Sequence, residues 1–378
     1  MEKRCTITSD SGRYIALDGL RGLAAVVVLI DHTLAVSPAF AASLRDGTEP
    51  NGSLIVWLLT YTPIHLLWGG TEAVDVFFLL SGFVLTLPFL RQVRPNWMSY
   101  YPKRILRLYL PVWASLIFAF GTTIIVPRIA NADQSWWINE HDQPQKVLRE
   151  AIFPTGAGWL NSPLWSLGWE IVFSLLLPLY LYLLFRIKQC WLLGIAPLLV
   201  VIAVGSMMGI GALEYLPMFA IGVLMARHKE SLKTYAQTLG RWSWAGLLTI
   251  AVLLLTSHWT FVPGPGSAML ATGGGAIMIF LFLHNQSALR MGTWAPIRWA
   301  GSRSFALYLV HEPIVVSVAI GYHLTNPALV LAIALPVAFL ATEIFFRLVE
   351  DPSRKLAGRV GRLFDKKPSD RTELHTTA

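Results

Sequence analysis

Residues 19–37 read GLRGLAAVVVLIDHTLAVS. An α-helix rises 1.5 Å per residue, so about 20 mostly apolar residues cross the ~30 Å hydrocarbon core of a bilayer. This run has that length, and it carries Arg21 and His32, which hydrocarbon does not solvate. Working outward, comparable runs fall near residues 64–90, 105–127, 164–185, 191–208, 209–226, 242–259, 267–284, 302–322 and 328–349. The least marked boundary is the one at Met207–Gly211. Leu54–Tyr61 is too short to cross and is expected at the membrane interface. The fold class that follows is all-α: a polytopic integral membrane protein of about ten transmembrane helices.

Composition agrees. Of 378 residues, 54% are hydrophobic and 14% charged, against about 25% charged in a soluble domain. Mean hydropathy is +0.55. The 15 Trp suit membrane–water interfaces. A net charge of +8 does not point to nucleic acid, because the basic residues lie in short clusters between apolar runs. With both termini cytoplasmic, 26 of the 30 Lys and Arg fall on the inner side, as the positive-inside rule requires. Cys5 and Cys190 then face the cytoplasm, where they are expected to stay unbridged, and they lack metal-ligand spacing. The polar start, Met1–Ala16, runs straight into a span and reads as no cleavable leader. Arg128–Pro163, with Trp136, Trp137 and Trp159, is the long outer segment and reads equally as a small cap or a solvated loop. The chain divides into a transmembrane domain over 14–355 and a basic, polar, disordered tail over 356–378.

Ionisable groups inside spans are costly, and each is a candidate for function. Arg21 and His32 are 11 residues apart, which places them on one helix face about 16 Å apart along the axis. An Arg at the inner edge binds an anion or snorkels; a deep imidazole accepts a proton or sits hydrogen-bonded in a core. Glu72 and Asp75 share a face of the second span, and Asp75 either orients an imidazole or pairs with a base. Lys103, Arg104 and Arg107 pack three charges onto one turn, a phosphate-sized group or an ordinary inner flank. Glu170 lies about 9 Å into the fourth span. Tyr308 and His311 sit one turn apart in the ninth, before Pro313, which should kink it. Glu343 and Arg347 read as a structural pair. Together these residues outline a polar path across the bilayer, fitting an enzyme or a transporter.

The segments, in this order, resemble the acyltransferase-3 family of membrane acyltransferases. The match is carried by Leu17-Asp18-Gly19-Leu20-Arg21-Gly22 with His32, by Val74-Asp75-Val76-Phe77-Phe78 through Ser81-Gly82-Phe83, and by Lys103-Arg104 with Arg107. Leu164-Trp165-Ser166-Leu167 with Glu170, Ser304-Phe305-Ala306-Leu307-Tyr308-Leu309 with His311 and Pro313, and Glu350 with Pro352 complete it. Departures are Ala73, Ile171, Ser174 and the four-residue step from Arg107 to Pro111.

The resemblance implies transfer of an acyl group, commonly acetyl, from cytoplasmic acyl-CoA to a hydroxyl of a sugar or other small molecule, in the bacterial plasma membrane and without a metal. By position, Arg21 and His32 match the family's essential pair, and Lys103, Arg104 and Arg107 its CoA-phosphate motif. His32 is then the expected general base, with Asp75, Glu170 and His311 as catalytic candidates and Ser81 and Tyr308 as substrate-binding ones. The acyl-CoA arm, ~15–20 Å when drawn out, spans the distance from Arg21 to His32. A transporter or flippase for a lipid-linked sugar accounts equally for charges within the membrane, though less directly for a basic cluster paired with a deep histidine.

Overall fold

Backbone N–H and C=O groups find no partners in hydrocarbon, so a spanning chain closes its hydrogen bonds within helices. The computed structural model, which describes residues 14–46, 53–90, 95–128, 147–152, 160–187 and 191–365, contains helices and no strand among them. A helix stands at each of the ten positions expected from the sequence. These are α1 (Ile15–Leu34), α2 (Gly70–Thr86), α3 (Trp97–Ile125), α4 (Leu164–Leu184), α5 (Trp191–Met208), α6 (Gly211–Arg227), α7 (Arg241–Leu255), α8 (Ser267–His284), α9 (Ser304–Gly321) and α10 (Pro327–Phe345).

Among the described residues, seven helices are long and apolar enough to cross a membrane, or eight if α1 and the short helix bent 115° from it form one broken span. The chain is a polytopic membrane protein. α6 and α7 are shorter, at 17 and 15 residues, whereas α2 is continued by a 3-10 turn to Leu90. Side chains such as Ile117, Ile125 and Leu340, 64–81% exposed, would be costly in water and are at home against lipid tails.

The core is built on α1, α2, α6 and α9. α6 is almost wholly buried from Pro217 to Ala226, and α9 from Ala306 to Val316. Close approach depends on glycine. A Cβ on Gly222 of α6 would overlap the Leu79 carbonyl of α2, and one on Gly82 of α2 would overlap the Phe219 carbonyl of α6. Helices in membranes associate by this kind of small-residue contact. Gly22 of α1 likewise abuts Gly301 in the short helix Ala295–Ser302.

Leu54–Thr60 is a short helix with Leu54, Ile55 and Trp57 exposed, in keeping with an interfacial position. The tail expectation is corrected. After α10 the backbone makes a π turn, Phe346–Glu350, and continues as α11, Asp351–Leu363. Ser353, Ala357 and Gly361 recur every four residues and form its buried stripe, so this stretch is ordered by packing on α3. Residues 366–378, Cys5, Cys190, Trp136, Trp137 and Trp159 lie outside the described residues.

Candidate active site

Four guanidinium groups from three helices converge at the end of the bundle where α1 begins. Arg21 of α1, Arg104 and Arg107 of α3 and Arg354 of α11 line one cavity of about 320 Å³, with Glu170 and Glu350 in the same wall. Arg104 and Arg107 share a face because they are one turn apart. Arg104 is committed inside the protein. Its Nη2 donates to Glu170 Oε1 at 2.5 Å and its Nε to Ser174 Oγ at 2.9 Å. Ser174, one of the departures from the family pattern, thereby anchors the arginine.

Arg21, Arg107 and Arg354 differ. Among the described residues none of the three makes a hydrogen bond or an ion pair within 4.0 Å, and Arg21 Nε is buried without a partner. Glu350 does not neutralise them by contact: its carboxylate accepts from the Ala306 amide of α9 at 3.1 Å. The wall also carries Asp18, Glu170 and Glu350, but its four guanidinium groups outnumber those three carboxylates, and guanidinium favours phosphate. Lys103 does not line the cavity; its ammonium meets Asp365 at 3.6 Å.

A second, narrow cavity of about 30 Å³ continues inward, sharing Arg21, Ser81, Glu170, Ser304 and Phe305 with the first and ending at Tyr308. Hydroxyls punctuate this aromatic passage. Ser81 Oγ donates to Glu170 Oε1 at 3.3 Å, and Ser166 Oγ and Tyr308 Oη lie 2.6 Å apart. The Tyr308 ring is 5.8 Å from that of His311.

His32 and His311, 279 residues apart in sequence, face each other across α1 and α9. Their rings are 5.0 Å apart and 29° from parallel, with His311 Nε2 3.1 Å from His32 Nδ1. His311 Nδ1 lies 3.0 Å from the Leu307 carbonyl. A carbonyl only accepts, so Nδ1 carries the hydrogen, and in the neutral ring Nε2 is the acceptor. His32 Nδ1 then donates, and the His32 lone pair falls on Nε2. One backbone carbonyl sets two tautomers in series, the logic by which a second group orients a catalytic imidazole. Glu312, fully buried, follows His311 on the same helix.

The structure thus brings together Arg21, Arg104, Arg107, Glu170, Ser81 and Tyr308 along one passage, with His32 and His311 beyond it. Asp75 stands apart: it is buried on α2, and among the described residues no hydrogen bond joins it to His32. Its neighbour Glu72 accepts from Trp259 Nε1 at 3.0 Å and faces His65 at 3.8 Å. Glu343 binds Arg347 at 2.6 Å, and Arg303 as well at 2.5 Å. Four site-lining or site-adjacent groups escaped the sequence reading. Arg354 lies at the very end of the expected transmembrane domain, past the last span, where a basic residue reads as an ordinary inner flank. Glu312 lies between His311 and Pro313, and Glu350 enters the sequence reading only as part of the family motif. Asp31 precedes His32 in the first span, and its carboxylate packs so closely on Gly70 that a Cβ there would collide with it. An acid inside an apolar run is a signal for both Asp31 and Glu312.

A family model described as an acyltransferase domain matches residues 14–347. Peptidoglycan O-acetyltransferase OatA of Listeria monocytogenes is 24% identical over 92% of this chain, and the chain spans 57% of that protein. The putative peptidoglycan O-acetyltransferase YrhL of Bacillus subtilis is 24% identical over 76%, with 51% of its own length spanned. The chain therefore spans little more than half the length of these two relatives. Acyltransferase MdmB of Streptomyces mycarofaciens is 26% identical over 92% of the chain and is spanned over 93% of its length. No solved structure matches. With the family model covering nearly nine-tenths of its residues, this chain belongs to the acyltransferase-3 family.

Proposed function

We propose that the protein is a plasma-membrane O-acyltransferase that moves an acyl group, acetyl in the first instance, from cytoplasmic acyl-CoA to a hydroxyl of a carbohydrate or other small acceptor. In this reading ten helices span the membrane with both termini inside, and residues 14–355 form the catalytic unit. The observation that carries the reading is a cavity in which Arg21, Arg107 and Arg354 make no ion pair among the described residues, set about 16 Å along α1 from a hydrogen-bonded histidine pair. The relatives named as peptidoglycan O-acetyltransferases make an envelope sugar the first acceptor to try.

Arg21 and Arg107 hold the donor's phosphates at the inner end. The passage lined by Ser81, Phe77, Ser166 and Tyr308 guides the thioester arm toward the histidines, offering hydroxyls to its amides and rings to its methyl groups. His32 Nε2 takes the proton of the acceptor hydroxyl as its oxygen attacks the thioester carbonyl. The C–S bond breaks, and the imidazolium returns the proton to the departing thiolate, leaving ester and free CoA. His311 holds His32 in the tautomer that makes Nε2 basic. Glu170 keeps Arg104 in place; Asp75 has no step in this scheme.

The test is CoA release from acetyl-CoA by purified protein given muropeptide or small-sugar acceptors. A positioned base contributes about 10²–10⁴-fold, so His32→Ala should lose at least about 100-fold in kcat with the acetyl-CoA KM retained. Wild-type turnover in that variant removes His32 from the reaction. Absence of CoA release, with sugar transport into vesicles, would make the protein a transporter.

A further inference from the structure

The fourth arginine of the cavity comes from outside the matched family domain. Arg354 lies on α11, beyond residue 347, and lines the same space as Arg21 and Arg107. Two features of the chain place it there. The π turn Phe346–Glu350 inserts a residue into an otherwise continuous helix, which rotates everything after it by about 100° relative to an uninterrupted α-helix. Glu350 is thereby turned inward to bind the Ala306 amide, and Arg354, one turn on, follows it.

α11 is then clamped at its far end. Ser99 Oγ donates to the Gly361 carbonyl at 3.0 Å, Asn96 Nδ2 to the Phe364 carbonyl at 3.0 Å, and Lys103 pairs with Asp365. Gly361 is so close to the Lys103 stem that a Cβ would overlap it. Lys103, expected from sequence to touch phosphate, instead braces the helix that carries Arg354. A helix pinned at both ends holds a guanidinium over the cavity, with no hydrogen bond or ion pair of its own among the described residues.

We propose that α11 is a structural wall of the donor site and that Arg354 binds a phosphate of the nucleotide half of acyl-CoA, so that affinity for the donor depends on a segment after the last membrane span. The inference rests on the acyl-CoA reading above.

Acetyl-CoA and acetyl-pantetheine, which lacks every phosphate, separate the possibilities with full-length protein in detergent. Arg354→Gln should weaken acetyl-CoA at least about tenfold, the scale of one charge-assisted hydrogen bond, and leave acetyl-pantetheine unchanged. Arg354→Lys should recover part of the loss. The double variant Asn96→Ala with Ser99→Ala, which removes both hydrogen bonds holding the end of α11 without touching the arginine, should reproduce part of the selective loss. Equal loss for both donors, or none for acetyl-CoA, overturns the role of Arg354. Wild-type protein that binds no acyl-CoA overturns the donor reading itself.

Discussion

Two ring nitrogens 3.1 Å apart, His311 Nε2 and His32 Nδ1, hold one hydrogen between them. The Leu307 carbonyl decides which nitrogen owns it, because it already claims the other side of His311. This makes His311 a positioning residue. His311→Phe keeps an aromatic ring of similar size but removes the acceptor, so His32 is free to adopt the unproductive tautomer. The expected outcome is a kcat loss of roughly 10-fold or more with the acetyl-CoA KM retained. Because the two histidines act as a unit, the double variant with His32→Ala should be no worse than His32→Ala alone. Steady-state kinetics on the two single variants and the double checks it; additive losses would show that the histidines act independently. The sequence placed both histidines deep in spans but could not pair them, since nothing in residue 32 specifies which helix 279 residues later it meets. Asp75 shows the reverse: its motif and its shared face with Glu72 were legible, and the lack of a hydrogen bond to His32 among the described residues was not.

At the scale of helices, legibility was high because hydrocarbon imposes length and polarity on each span independently of its neighbours. Packing between helices is another matter. α2 and α6 touch backbone to backbone at Gly82 and Gly222, and α2 carries Ser81 next to that contact into the passage. Gly222→Val has no room to relax, because its first obstacle is the Leu79 carbonyl and not a flexible side-chain tip. Overpacking of this kind costs about 1–3 kcal/mol or more. Thermal unfolding in detergent should show a clearly lowered midpoint for Gly222→Val. A surface substitution such as Gly246→Val, where a Cβ would meet nothing within 4 Å, should stay near wild type. An unchanged midpoint at Gly222 would mean the two helices part more easily than the contact implies. The helix α11 marks where element-level reading stopped. Its basic, polar sequence resembles a tail, and the stripe Ser353, Ala357, Gly361 becomes a signal only once α3 is there to receive it.

For the whole molecule, the proposed orientation puts both ends of the chain and the arginine cavity on one side. Protease-accessible tags at the amino and carboxyl ends should be cleaved together in inside-out vesicles and protected together in right-side-out ones. Opposite behaviour of the two tags would require an odd number of crossings. The chain by itself determined that it is helical, that it lives in a bilayer, roughly where each span lies and to which family it belongs, because span length, apolar content and short motifs are local properties that no other part of the protein needs to supply. Only the tertiary structure decided which arginines stay unpaired, that Lys103 braces a helix instead of lining the cavity, that His32 meets His311, and that Arg354 joins the site. Each of those depends on distances between helices, and such distances are set by interlocking surfaces, glycine contacts and one π turn acting together.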